Sequence, residues 1–337
     1  MEYRFLTGGY AGPEDAGVCR FSFDPEKGFA LKNAWTDFIN PSYILKHPAL
    51  PVLYTVEEVT PNGAVRAWKM GGDTLRELCA FPSGGSDPCH LSLSADAQSL
   101  YAANYTSGSL AVFSLDDNGK ILEMSDFRQH RGSGPNRERQ ESAHVHCSLE
   151  MDGILYVCDL GMDQIAAYRN ENGKLTQVGG INMKSGSGPR HLASSKRLPG
   201  HLYCVGELDS HVYHLAEKNG KYEMIQAVSA LPPDFAGENT GAAIHFTEDG
   251  KCLLVSNRGH DSIAVFPVGE TGRLGQPVIT QCVAQPRDFA VYDDWVIAGS
   301  QRDSVIRAYH LDREALTLAD TGYSAEVKSP TCFVRVE

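Results

Sequence analysis

The sequence predicts an all-β fold: a seven-bladed β-propeller whose ring is closed by one C-terminal strand joining the N-terminal strands. Three observations carry this expectation. One short strand signature recurs seven times, two further strand signatures follow it in most copies, and helix-period segments are nearly absent.

The first signature reads Pro41-Ser42-Tyr43-Ile44, Pro88-Cys89-His90-Leu91, His144-Val145-His146-Cys147, Pro189-Arg190-His191-Leu192, Ala243-Ile244-His245-Phe246, Pro286-Arg287-Asp288-Phe289 and Pro330-Thr331-Cys332-Phe333. Copies begin roughly 43–56 residues apart, the period of a propeller blade. The second signature is Leu53-Tyr54, Leu100-Tyr101, Leu155-Tyr156, Leu202-Tyr203 and Leu253-Leu254, with a weaker Val296-Ile297. The third includes Ser109 to Phe113, Gln164 to Tyr168, Ser262 to Phe266 and Ser304 to Tyr309. Each is a β-branched or aromatic-rich run bounded by Gly, Asn, Asp or Pro, as a strand requires. The seventh copy, Pro330 to Val336, has room for one strand only. Phe5-Leu6-Thr7, Gly17 to Phe23 and Ala30 to Trp35 supply three more and remove the open sheet edges.

Composition fits that ring. A single core would be unusually large for 337 residues, but each blade has its own small core, so one domain over residues 1–337 is expected. The net charge of −12 argues against nucleic-acid or anionic-membrane partners, which call for a broad basic face. No run reaches the apolar length of a membrane span, and Met1-Glu2-Tyr3-Arg4-Phe5 has no signal-peptide pattern. Nine cysteines, odd in number and without CxxC, read as reduced thiols of a cytoplasmic protein. A ring of blades is self-sufficient, so a monomer or weak homodimer is expected.

Aligned copies separate scaffold from chemistry. The third position reads Tyr43, His90, His146, His191, His245, Asp288, Cys332, so a histidine recurs there and His146 reads as structural. The first position is mostly proline, natural at a strand entry, and His144 is its outlier. At the middle position Arg190 and Arg287 stand out. After the second strand, Glu58, Tyr105, Leu160, Glu207, Arg258 and Gln301 share no residue type and are expected to ring one mouth of the channel. The column before it, which includes Asn104, Asp159 and Asn257, is also explained by turn chemistry. Where the repeat breaks, Gly134 to His146 crowds two arginines, two carboxylates and two histidines together.

The stretch Gly134-Pro135-Asn136-Arg137 through His144-Val145-His146, then Asp159 to Asp163, Gly186 to Leu192 with Glu207-Leu208, Ser256 to Ile263, and Gln285 to Phe289 resembles the bacterial seven-bladed propeller type of 6-phosphogluconolactonase. The resemblance runs from about residue 5 to the C-terminus. That family also contains the fungal carboxymuconate-lactonizing enzymes. In that branch a histidine, an arginine, a glutamate and a second arginine act at the site. The resemblance carries these onto His144 or His146, Arg190, Glu207 and Arg258. It implies a carboxylic ester hydrolase of the oxidative pentose phosphate pathway acting on a phosphorylated sugar lactone.

Hydrolysis of a δ-lactone requires a base for water, which suits His144 or Glu207, and a donor for the oxyanion, which suits Arg190 or Arg258. Arg137, Arg139, His146, Arg287 and Asp159 complete the expected substrate site, with Arg128 and Arg131 as further local cations. A nucleophilic Cys89 is a minor alternative, and no GxSxG elbow occurs. His144 and His146 could share a strand face as half a metal site with Asp159 and Glu207. The segment is basic, however, so neither metal nor cofactor is expected. The alternatives are a lactonizing or hydrolysing enzyme for another carboxylated lactone, and a non-catalytic binding propeller.

Overall fold

The computed structural model describes residues 2–336; Met1 and Glu337, the limits of the expected domain, lie outside the described residues. The chain folds into seven four-stranded antiparallel sheets, and no helix occurs among the described residues. Inner strands of blades 1 to 6 are Ile44–Lys46, Pro88–Leu93, Val145–Met151, Pro189–Ala193, Thr240–Phe246 and Pro286–Tyr292. Blade 7 is composite. Its inner strand, Pro330–Arg335, pairs with Tyr3–Gly9, followed by Val18–Asp24 and Gly28–Trp35. This is the predicted closure.

Alternating apolar residues place one face of each sheet against the next blade. Between blades 4 and 5, Tyr203, Val205 and Val212 pack against Leu253, Val255 and Phe266, all fully buried. At the closing seam the aromatic residues Phe5, Phe21 and Phe23 meet Tyr292 of blade 6 and are fully buried. Phe5 and Phe21 stack with centroids 5.7 Å apart.

A local irregularity recurs at the start of the inner strands. In blade 4, Pro189 pairs with Gly206 and His191 with Val205, leaving Arg190 as an extra residue. In the same way Cys89 is extra in blade 2 and His146 in blade 3. Such a bulge turns an otherwise alternating side chain toward a new direction, here the channel. The equivalent residues are Ser42, Ala242, Arg287 and Thr331 in blades 1, 5, 6 and 7.

This pairing corrects the repeat alignment in two blades. A backbone bond from the residue after each second strand fixes the frame: Tyr105 N–H donates to Asp87 O (2.9 Å), Glu207 to Gly188 O (2.8 Å) and Leu160 to His144 O (2.9 Å). His144 is therefore the counterpart of Asp87 and Gly188, one residue before the strand. The true first position of blade 3 is Val145. Blade 5 starts its motif at Gly241 rather than Ala243. The proline that marks this position in the other five blades is missing from both. A slip of one residue exchanges the faces of a strand, so His146 leaves the histidine column and joins Cys89, Arg190 and Arg287.

Candidate active site

Two seven-membered columns converge on one mouth of the channel: the bulge residues, and the residues at the ends of the second strands, Arg258 as the last of its strand and the others just after theirs. They enclose a cavity of about 300 Å³. Cys89, His146 and Arg287 face it from the first column, and Glu58, Tyr105, Glu207 and Arg258 from the second, with Thr240 and Arg139 at the rim. A wider outer cavity of about 630 Å³ shares Arg139, Thr240, Arg258 and Arg287 with it.

Glu207 anchors one wall. Its Oε2 accepts from Arg190 Nε at 2.9 Å and Arg258 at 3.0 Å, its Oε1 binds Arg139, and His146 Nε2 lies 3.9 Å away. Burial opposes ionisation of this carboxyl, yet the Arg258, Arg190 and Arg139 guanidiniums outweigh it and hold its pKa well below the usual carboxylate range. Arg190 is 2% exposed and also donates to Ala242 O at 2.9 Å and to His191. Arg258 donates to Gly241 O at 3.2 Å, while its buried Nε–H has no partner among the described residues.

His146 presents a neutral imidazole. Burial, then the Arg190 charge, lowers its pKa well below the usual histidine value. Its Nδ1 lies 3.9 Å from the Cys89 thiol. Burial pushes that thiol's pKa well up, so Cys89 stays protonated and is a poor nucleophile.

The opposite wall is built differently. Glu58 accepts hydrogen bonds from Tyr10 Oη at 2.7 Å and from Ser42. Arg287 lies over the Tyr10 ring, 5.4 Å from its centroid, and makes neither an ion pair nor a hydrogen bond among the described residues.

Of the expected residues, His146, Arg190, Glu207, Arg258, Arg139 and Arg287 come together here. His144 does not. It is buried against Tyr105, stacked at 4.5 Å, with Nδ1 3.0 Å from Tyr105 O and Nε2 3.1 Å from Glu141. Preferring it over His146 followed from the one-residue misalignment. The two imidazoles therefore share no face. Asp159 also turns away from the cavity. It is fully buried, bound to His130 Nδ1 at 2.8 Å, and it accepts the His144 and Met162 N–H groups. Arg137 is exposed and lines neither cavity. Glu58 and Tyr105 stood in the expected mouth column but had been given no role. Tyr10 was missed because its blade is split between the two termini.

The chain matches the family model "Lactonase, 7-bladed beta-propeller" over residues 4–335. It belongs to this family. Membership makes it a lactone-hydrolysing enzyme. It is 32% identical to 6-phosphogluconolactonase of Bacillus subtilis, covering 98% of this chain and 97% of that protein. A Bacteroides fragilis structure proposed to be a 6-phosphogluconolactonase superposes with a TM-score of 0.92 at 28% identity, covering 100% of this chain and 98% of that one. The periplasmic gluconolactonase of Pseudomonas aeruginosa gives 0.92 at 26% identity, covering 100% and 99%.

Proposed function

We propose that this lactonase hydrolyses 6-phospho-D-glucono-1,5-lactone to 6-phosphogluconate in the oxidative pentose phosphate pathway. One observation carries the reading. The neutral imidazole of His146 and the guanidiniums of Arg258 and Arg287, the latter without an ionic partner among the described residues, line one cavity. Arg139, Arg258 and Arg287 line it against Glu58 and Glu207, with Arg190 behind Glu207, a positive pocket on a protein of net charge −12. The name of the Bacillus subtilis relative supports the substrate. The nine unpaired cysteines support a reducing, cytoplasmic setting.

In this reading His146 accepts a proton from water as the oxygen attacks the lactone carbonyl. The carbonyl oxygen gains negative charge, and the Arg258 guanidinium on the cavity wall stabilises it. The intermediate collapses by breaking the ring C–O bond, and His146 returns the proton to the leaving alkoxide. Glu207, both of whose oxygens are held by guanidiniums, instead orients Arg190, Arg258 and His146. Because the His146 pKa is lowered, the imidazole stays neutral through the physiological range, and the acid limb of the rate profile falls below pH ~6.5. The test is lactone hydrolysis measured above the spontaneous background, with phosphorylated and unphosphorylated gluconolactone. Equal rates on the two would sink the phosphorylated substrate.

A further inference from the structure

Three of the four guanidiniums at the site share Glu207, yet they are not equivalent. The Arg190 and Arg258 side chains are 2% and 14% exposed, whereas that of Arg139 is 38% exposed. Arg139 also comes from a different kind of element. It lies in the segment 130–144, the longest connection between blades, which runs from the outer strand of blade 2 to the inner strand of blade 3.

That segment is pinned beside Arg139. Gln140 is fully buried and donates to Leu160 O at 2.9 Å and Asp163 Oδ1 at 2.8 Å. The Asn136 side chain accepts the N–H groups of Glu138 and Arg139, both at 3.1 Å, as a helix-cap residue would. Gly161 leaves space for the loop to cross: a Cβ there would collide with Ser142 O. The backbone is thus fixed, while the Arg139 side chain hangs over the mouth and touches both cavities.

Arg287 supplies the complementary half. It too borders both cavities and has no anionic partner among the described residues. The outer cavity that both arginines border is also lined by Asn136, Gln285 and Gln301, neutral donors suited to an oxyanion or to hydroxyl groups, and carries one carboxylate, Glu238.

We infer that Arg139 is a latch that substrate transfers from Glu207 to its own anionic group, where Arg139 and Arg287 close as a two-armed clamp on a phosphate. This inference rests on the lactonase reading and adds to it the residues that select a phosphorylated substrate. Arg190, Arg258 and His146 still hold Glu207 when Arg139 leaves. The exchange replaces one charge-assisted contact by another, so the movement is energetically balanced until the phosphate's second contact with Arg287 tips it. Arg139 acts here as a positioning and specificity residue, remote from the bond that breaks.

The experiment has two arms on the full-length protein: calorimetric titration with inorganic phosphate, and the ratio of kcat/KM for phosphorylated over unphosphorylated gluconolactone. Wild type, Arg139→Gln and Arg287→Gln are compared, each checked for an unchanged melting profile. Phosphate affinity and the substrate ratio are expected to fall at least about tenfold in both variants, chiefly through KM. Arg139→Gln alone suffices if Arg287→Gln does not fold, because Arg139 is on the surface. An unchanged ratio and affinity in Arg139→Gln would overturn the latch, as would equal losses on both substrates with phosphate affinity intact. If wild type hydrolyses neither lactone, the reaction assignment falls, and the phosphate titration still decides the clamp.

Discussion

The two walls of the cavity carry the same kinds of group in opposite states. On the blade 3–5 side, Glu207 is surrounded by Arg139, Arg190 and Arg258. On the blade 6–1 side, Glu58 is held by the neutral hydroxyls of Tyr10 and Ser42, and Arg287 has no ionic partner among the described residues. Arg190 and Arg258, matched to Glu207 and buried, are scaffold and costly to disturb, whereas the more exposed Arg139 is the movable member of that wall. A charge without a partner in a cavity is a receptor awaiting its ligand. In the proposed reading the site sets a rigid catalytic wall against a receptive binding wall.

Breaking the rigid wall should have the largest effect. Glu207→Gln leaves Arg190 and Arg258 buried without their counter-charge, and a loss of about 3–5 kcal/mol is expected together with loss of activity. Chemical denaturation would read it, and a variant as stable as wild type would remove Glu207 from the scaffold role. Gly161→Ala should act next, at a distance. Its Cβ displaces the loop at Ser142, so the phosphate preference should drop while the propeller still melts cooperatively.

Acid sharpens the comparison further. Burial and the Arg190 charge lower the pKa of His90, to about 3, and of His146 and His191 beside it. All three protonate more readily in the unfolded chain. Their contribution is therefore complete above pH ~6.5, and each loses up to about 1.4 kcal/mol per pH unit below it until its folded pKa is reached. Glu207, also lowered, adds a loss only below pH ~4.5. The melting temperature should fall steadily from pH 7 to pH 5; a flat profile would contradict the burial of neutral histidines. Arg137→Gln should have the smallest effect, with kcat/KM within about twofold of wild type, as expected for an exposed charge.

Blade number, strand order and ring closure were legible in the sequence because strand signatures and turn residues repeat together. The mouth column of Glu58, Tyr105, Glu207 and Arg258 was legible too, since the second strands align on their Leu-Tyr pairs without a gap. The inner strands were harder. Proline marks their start in five blades by excluding other backbone geometries, and where Val145 or Gly241 replaces it the alignment had no fixed point. His144 then took the place of a strand residue, and His146 was read as part of the histidine scaffold. The bulge itself leaves no residue-type signature, because its seven members range from alanine to arginine. Tyr10 was out of reach for a topological reason: the inner strand of its blade, Pro330–Arg335, is at the other end of the chain.

The assignment of the base therefore turns on two histidines two residues apart. The direct measurement is lactone hydrolysis above the spontaneous background by His146→Asn and His144→Asn, both verified as folded. His146→Asn should lower kcat by about 10²–10⁴-fold, the usual worth of a general base, while His144→Asn should stay within about tenfold of wild type, reflecting only its support of Tyr105. The opposite ranking would contradict the register on which this site is built.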